Sequence, residues 1–184
     1  MRDGGRRVLG LGVVVLLAAL GAGCDKGAAA APTEPPPRPY AAPAAGGACQ
    51  LLDFAVIAEA TGLTFDIAGS GQKDHTFTCA VTRSGETYPD LTFSVAAIGS
   101  DTAIYKSALV PKGAKTVTEL GKVAYQTTSA ASGDHGPRIE VGWLTATKAM
   151  VLRFTFPASA TPEDVTSMTP KIVTLAKKIA FANL

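Results

Sequence analysis

The sequence predicts an α+β fold, a single two-layer domain with an antiparallel sheet packed against helices on one face. Three observations point there. First, apolar residues alternate with polar ones in four runs: Phe77, Cys79 and Val81; Leu91, Phe93, Val95 and Ala97; Ile139, Val141 and Trp143; and Met150, Leu152, Phe154 and Phe156. A two-residue period marks strands with one buried face. Second, turn-forming clusters such as Ser84-Gly85-Glu86 and the segment Thr145 to Lys148 separate neighbouring runs, which lets them pair antiparallel. Third, helix-spaced apolar residues flank the strands. Leu51, Phe54, Ala55 and Ala58 precede them, and Val165, Met168, Ile172, Leu175 and Ile179 follow.

The elements follow in chain order. Leu51 to Thr61 reads as a helix, with Gly62 as its C-cap. Leu63 to Ala68 fits a short strand, and Gly69-Ser70-Gly71 with Lys73-Asp74-His75 fits a turn region. The strand carrying Cys79 comes next, then the strand Leu91 to Ala97. Ser100 or Asp101 can cap a second helix through Leu109, which Pro111 stops. Thr116 to Leu120 and Val123 to Thr128 read as strands flanking Gly121, and Ser132-Gly133-Asp134 as a polar turn. The runs around Trp143 and Leu152 form the clearest hairpin. Thr161, followed by Pro162 and by Asp164 three places on, is a strong helix start. Pro170 is expected to kink or restart that last helix. Its apolar stripe is expected to cover the sheet.

The chain has 184 residues, 17% of them charged, and a formal net charge of +2. That length allows one well-filled core. The excess charge lies in the N-terminal Arg2, Arg6 and Arg7. Val8 to Ala22 is then wholly apolar or glycine, and these 15 residues are too few to span a bilayer comfortably. Residues 1–23 therefore read as a signal peptide. They end in Leu20-Gly21-Ala22-Gly23-Cys24, which resembles a bacterial lipobox, where cleavage falls just before a lipidated Cys. Gly21 stands where the usual box has Leu, with Leu20 one step early. Cys24 is the expected lipidation site and membrane anchor. Arg6-Arg7 is compatible with either the general or the twin-arginine export route.

Cleavage before Cys24 removes Arg2, Arg6, Arg7 and Asp3, so 17 basic and 15 acidic residues become 14 and 14. A neutral domain has no electrostatic motive for binding nucleic acid. Residues 24–48 then form a tether with six prolines and nine alanines between Asp25 and Ala48. Pro35-Pro36-Pro37 and Pro39 favour an extended polyproline conformation, about 3.1 Å per residue, so the tether could reach on the order of 70 Å. The globular domain is expected at 49–184.

Two cysteines remain for that domain, Cys49 and Cys79. In an exported protein such a pair is expected to be a structural disulfide. Reaction motifs are scarce. The sequence holds no nucleophile elbow, zinc-protease helix, P-loop or dinucleotide fingerprint. Ser70-Gly71-Gln72-Lys73 matches a bare Ser-x-x-Lys, but it sits among glycines without partner motifs. Asp74-His75 and Asp134-His135 could together offer two imidazoles and two carboxylates to a divalent metal if their loops met. Trp143 and Tyr125, with Tyr105 and Tyr88, are the candidates for lining a pocket for an apolar ligand.

Several short features together resemble a family of actinobacterial cell-envelope lipoproteins of unknown function. They are the lipobox, the Pro/Ala-rich stalk, and a Cys-x-Leu-Leu start at Cys49-Gln50-Leu51-Leu52. A helix ending at Gly62, a second Cys at Cys79, and Leu120-Gly121-Lys122-Val123-Ala124-Tyr125 complete the set. Val81 stands where that family often has Trp. The resemblance implies an anchored, disulfide-bonded α+β domain and carries over no catalytic residues. The resulting expectation is a non-enzymatic, extracytoplasmic binding or sensor-like domain without cofactor, for a small apolar ligand or an envelope protein. Two alternatives are a metal-dependent or hydrolytic enzyme using His75 and His135, and a passive structural lipoprotein.

Overall fold

The computed structural model describes residues 41–98 and 101–182. The signal peptide, Cys24, the tether up to residue 40 and Ser100 lie outside the described residues. The domain is an α+β fold built on one seven-stranded antiparallel sheet, as the alternating runs predict. The strands are β1 (Ile67–Lys73), β2 (Thr76–Thr82), β3 (Asp90–Ala97), β4 (Lys115–Thr116), β5 (Val123–Ser129), β6 (Arg138–Leu144) and β7 (Lys148–Thr155), in the order β1-β2-β3-β7-β6-β5-β4. The helices are α1 (Phe54–Thr61), α2 (Thr102–Ala108) and α3 (Pro162–Ala182).

Register explains the core. Cys79 pairs with Phe93, Phe93 with Leu152 and Leu152 with Val141, so the apolar positions of four strands fall on one face. Helix α3 lays Ile172, Leu175 and Ile179 on that face, and α1 adds Ile57; all four are buried. The other face is mostly polar. Only one end of it is covered, where Tyr105 of α2 packs on Tyr125, Leu144 and Ala149.

The N-terminal edge of the domain lies earlier than expected. Ala42–Ala45 and Gly47–Leu51 are short 3₁₀ helices, and Ala42 and Ala48 are buried in the main core. Residues 42–48, read as tether from composition, thus belong to the packed domain: alanine lacks bulk, yet it fits where backbones approach closely. Cys49 and Cys79 are disulfide-bonded, which fastens the second 3₁₀ helix to β2. Helix α1 starts at Phe54 rather than Leu51, because the Asp53 carboxylate caps it by accepting from the Ala55 N–H at 2.7 Å. Gly62 ends it in the left-handed conformation, φ +79°.

Strand β1 is shifted along the chain relative to the expected Leu63 to Ala68. Gly69, Ser70 and Gly71 are strand residues, paired in register with β2, and the turn itself is only Asp74-His75. At a sheet edge, ladder hydrogen bonds outweigh the low strand propensity of glycine. Phe77, expected in the core, is 39% exposed; it lies toward the Asp74-His75 turn, past the cover that Gly47–Leu51 gives Cys79. Strand β4 has only two residues, Lys115 and Thr116, and keeps just Thr116 of the expected 116–120. The Asp101 carboxylate caps α2 through the N–H groups of Ala103 and Ile104. Helix α3 runs unbroken through Pro170, without the expected restart. Pro170 is exposed, so water can serve the carbonyl its ring leaves unpaired. At its start Asp164 accepts from the Thr161 N–H and hydroxyl, both at 2.9 Å, and these donors hold the Asp164 carboxyl below its usual range.

Candidate ligand-binding groove

Two neighbouring hollows open on the helix-covered side of the molecule. The first, of about 450 Å³, lies between α1 and the end of α3. Leu51, Val56 and Ile57 form one wall, and Leu175, Ile179 and Phe181 the other. Phe181 is 73% exposed, so a whole aromatic side chain stands in water at the mouth. The second hollow, of about 500 Å³, shares Leu51 and Phe181 with the first and continues to the ends of β6 and β7. Trp143 and Met150 line it, and Lys122, Lys148 and Glu119 bring charge to its rim.

Local chain chemistry builds this corner. Gly121 holds φ +60°, and a Cβ there would fall 2.4 Å from the Leu144 carbonyl oxygen. Only glycine lets the connection between β4 and β5 lie so close to β6. The next residue is fixed in turn: the Lys122 N–H donates to Leu144 O at 2.7 Å. Lys148 begins β7 two residues before Met150, so its position falls on the same face of the strand as Trp143 and Met150. Glu119 is held by Lys177 at 3.0 Å, whereas Lys122 and Lys148 have no acidic partner among the described residues.

The two aromatics expected to line one pocket are on opposite faces of the sheet. Trp143 pairs with Ala124 and Tyr125 with Gly142, and successive residues of a strand point to opposite sides. Trp143 is fully buried and stacks on Phe93, with ring centroids 5.9 Å apart. Its indole Nε1 is enclosed and has no hydrogen-bond partner. Tyr125 instead donates its hydroxyl to Glu140 at 2.8 Å, and Arg153 grips the other Glu140 oxygen through two N–H groups at 2.7 and 3.1 Å. Gly142 is what admits the Tyr125 ring, since a Cβ there would sit 2.4 Å from it. Burial, and then the Glu140 hydrogen bond, push the Tyr125 phenol far above its ordinary pKa. Burial, and then the Glu140 charge, push Tyr105 up to about 12. The Tyr105 hydroxyl is buried without a partner. Tyr88 lies away from both, edge-on to His135 at 6.3 Å.

The four metal candidates do not form one site. Asp74 and His75 turn the chain between β1 and β2, at the end of the sheet where Leu144 meets Ala149; Asp134 and His135 sit between β5 and β6, at the opposite end. Antiparallel pairing sends alternate turns to opposite ends, and sequence spacing alone does not say which. Among the described residues no group of three or more His, Cys, Asp or Glu is placed to share an ion. His135 is engaged on both nitrogens, Nδ1 with Gly136 O at 2.8 Å and Nε2 with the Arg138 guanidinium. A guanidinium only donates, so Nε2 accepts and Nδ1 carries the proton. Its one lone pair is therefore already used.

No protein-family model, curated protein or solved structure matches this chain. Among the described residues, no helix is long and apolar enough to cross a membrane.

Leu175 and Ile179 fit the core stripe by their spacing, which therefore does not mark the groove that they also wall. One signal does mark it. Phe181 falls off that stripe, beside Lys177 and Lys178, where a large aromatic has no core to enter.

Proposed function

We propose that this chain is a lipid-anchored, extracytoplasmic binding domain for a small apolar ligand, without catalysis of its own. The apolar groove between α1 and α3 carries the reading. It is concave, walled by aliphatic and aromatic side chains, and continuous with a second hollow that has a few charged groups, as small-molecule sites commonly are. The lipobox at Cys24 and the Pro/Ala-rich stalk support an anchored position, as does the resemblance to envelope lipoproteins. The hydrolytic reading finds no comparable support, since His75 and His135 lie at opposite ends of the sheet.

Trp143, the one tryptophan of the chain, is a built-in reporter. The test uses the full chain reconstituted in phosphatidylcholine vesicles, titrated with a brominated long-chain methyl ester, because bromine quenches indole fluorescence at contact range. Saturable quenching, weakened by Phe181→Asp, is the expected result. Unchanged fluorescence with the wild-type chain would overturn the reading and leave a protein partner or a structural role.

A further inference from the structure

We infer that the ligand is a single-chain amphiphile with an anionic head, a long-chain carboxylic acid, and that it lies in one direction. The carboxylate sits at the corner of Lys122 and Lys148, and the chain runs past Leu51 and Phe181 into the groove between α1 and α3. This inference rests on the binding reading above and adds the head group and the orientation.

The two hollows differ in chemistry, and that difference sets the direction. The groove between the helices has almost wholly aliphatic and aromatic walls, with Lys178 at its rim paired to Glu59 at 2.8 Å. Its other charge is the Asp53 carboxylate that caps α1, so the groove suits a chain and repels an anionic head. The adjoining hollow has two exposed ammonium groups, Lys122 and Lys148, without an acidic partner among the described residues. Its one acid, Glu119, is already tied to Lys177. An ammonium pair facing a hollow attracts an anion and gains little from a neutral group. Glu119 disfavours a doubly charged head, so a carboxylate suits the corner better than a phosphate monoester.

Trp143 marks the same corner. The indole Nε1 of Trp143 is a buried donor without an acceptor, an arrangement that is costly unless something supplies one. Cδ1, bonded to that nitrogen, lies 3.4 Å from the Cβ position of Gly121, so the pyrrole edge faces the Gly121-Lys122 corner. The nitrogen itself is covered, so the two ammonium groups set the position of the carboxylate and the indole beside it reports on that position. Shared walls at Leu51 and Phe181 let one molecule occupy both hollows.

The experiment again uses the full chain in phosphatidylcholine vesicles, with three probes of equal chain length. One is an acid brominated near its carboxyl end, one an acid brominated near its methyl end, and one the methyl ester of the first. The carboxyl-end probe should quench Trp143 strongly and the methyl-end probe weakly. The acid should bind about tenfold tighter than the ester, a margin within reach of two solvent-exposed charges. Lys122→Glu combined with Lys148→Glu should erase that preference by weakening the acid about tenfold relative to the ester. Both lysines are exposed, so the double variant keeps its core. Equal affinity of acid and ester, or stronger quenching from the methyl end, overturns this inference while leaving the apolar binding reading intact. No quenching by any probe overturns both.

Discussion

Trp143 and Tyr125 sit on adjacent strands one residue apart in register, and they show what separates the two faces of the sheet. Each is a large ring with one polar atom. On the outer face the Tyr125 hydroxyl reaches Glu140, which Arg153 also holds, so those three side chains satisfy one another, with only the neighbouring Tyr105 hydroxyl left out. On the helix-covered face the hollow beside Trp143 is rimmed by Lys122 and Lys148, which have no acidic partner among the described residues. A satisfied polar network offers little to a ligand, whereas exposed ammonium groups beside an apolar hollow offer both affinity and direction. Exposure alone would have favoured the outer face as the site.

The strongest way to break this contrast is at the disulfide. Cys49→Ala with Cys79→Ala releases a loop of about 30 residues, and chain entropy puts the loss at about 3.5 to 4 kcal/mol. Urea unfolding measures it. The same change frees Gly47–Leu51, and Leu51 walls both hollows, so Trp143 quenching by the ester should fall alongside stability. Full retention of quenching would mean that the groove does not depend on the 3₁₀ segment.

A smaller effect of opposite character is expected from Glu140→Ala. It strips the acceptor from Tyr125 and Arg153, but Arg153 is 44% exposed along its side chain and can turn to water. The loss should be about 1 to 2 kcal/mol, carried mainly by the hydroxyl of the buried Tyr125. Ligand quenching should be unaffected, because Glu140 points away from the helix layer. Loss of both stability and binding would show the two faces to be coupled through the sheet.

How far the sequence reached differs between these faces for a physical reason. Strands β2, β3 and β5, the β6–β7 hairpin, both helix caps at Asp101 and Thr161, and the disulfide follow from local rules: alternation, turn residues, side-chain capping and cysteine pairing. The seven-stranded order does not, since it depends on β3 pairing with β7 across some fifty intervening residues. The groove is equally non-local. Leu51 and Phe181 are brought together only when α3 folds back on α1. Trp143 and Tyr125 could have been separated from sequence alone, because both lie in alternating strands, but only once the register of β5 against β6 is fixed. The packed 3₁₀ entrance was hidden for another reason: Pro and Gly among alanines look the same in a tether as in a tight turn.

The smallest effect, and the most selective, concerns Tyr105. Its hydroxyl is buried beside Glu140 without a partner, and its pKa is pushed up to about 12 from an ordinary value near 10. The fold therefore favours the protonated phenol. That contribution is complete below about pH 10, where the unfolded chain also keeps its proton, and is lost as the pH rises through about 12. Tyr105→Phe removes both the unsatisfied hydroxyl and its titration. At neutral pH the variant should be as stable as the parent, or more stable by up to about 1 kcal/mol, since a buried donor without a partner is deleted. Between about pH 10 and 12 the parent should lose stability more steeply than the variant, as thermal unfolding across that range would show. The helix-covered face, with no tyrosine in its core cluster, should contribute nothing to the difference. Parallel alkaline curves for the two chains would place the hydroxyl in contact with water and remove the outer face's one unsatisfied aromatic from the comparison.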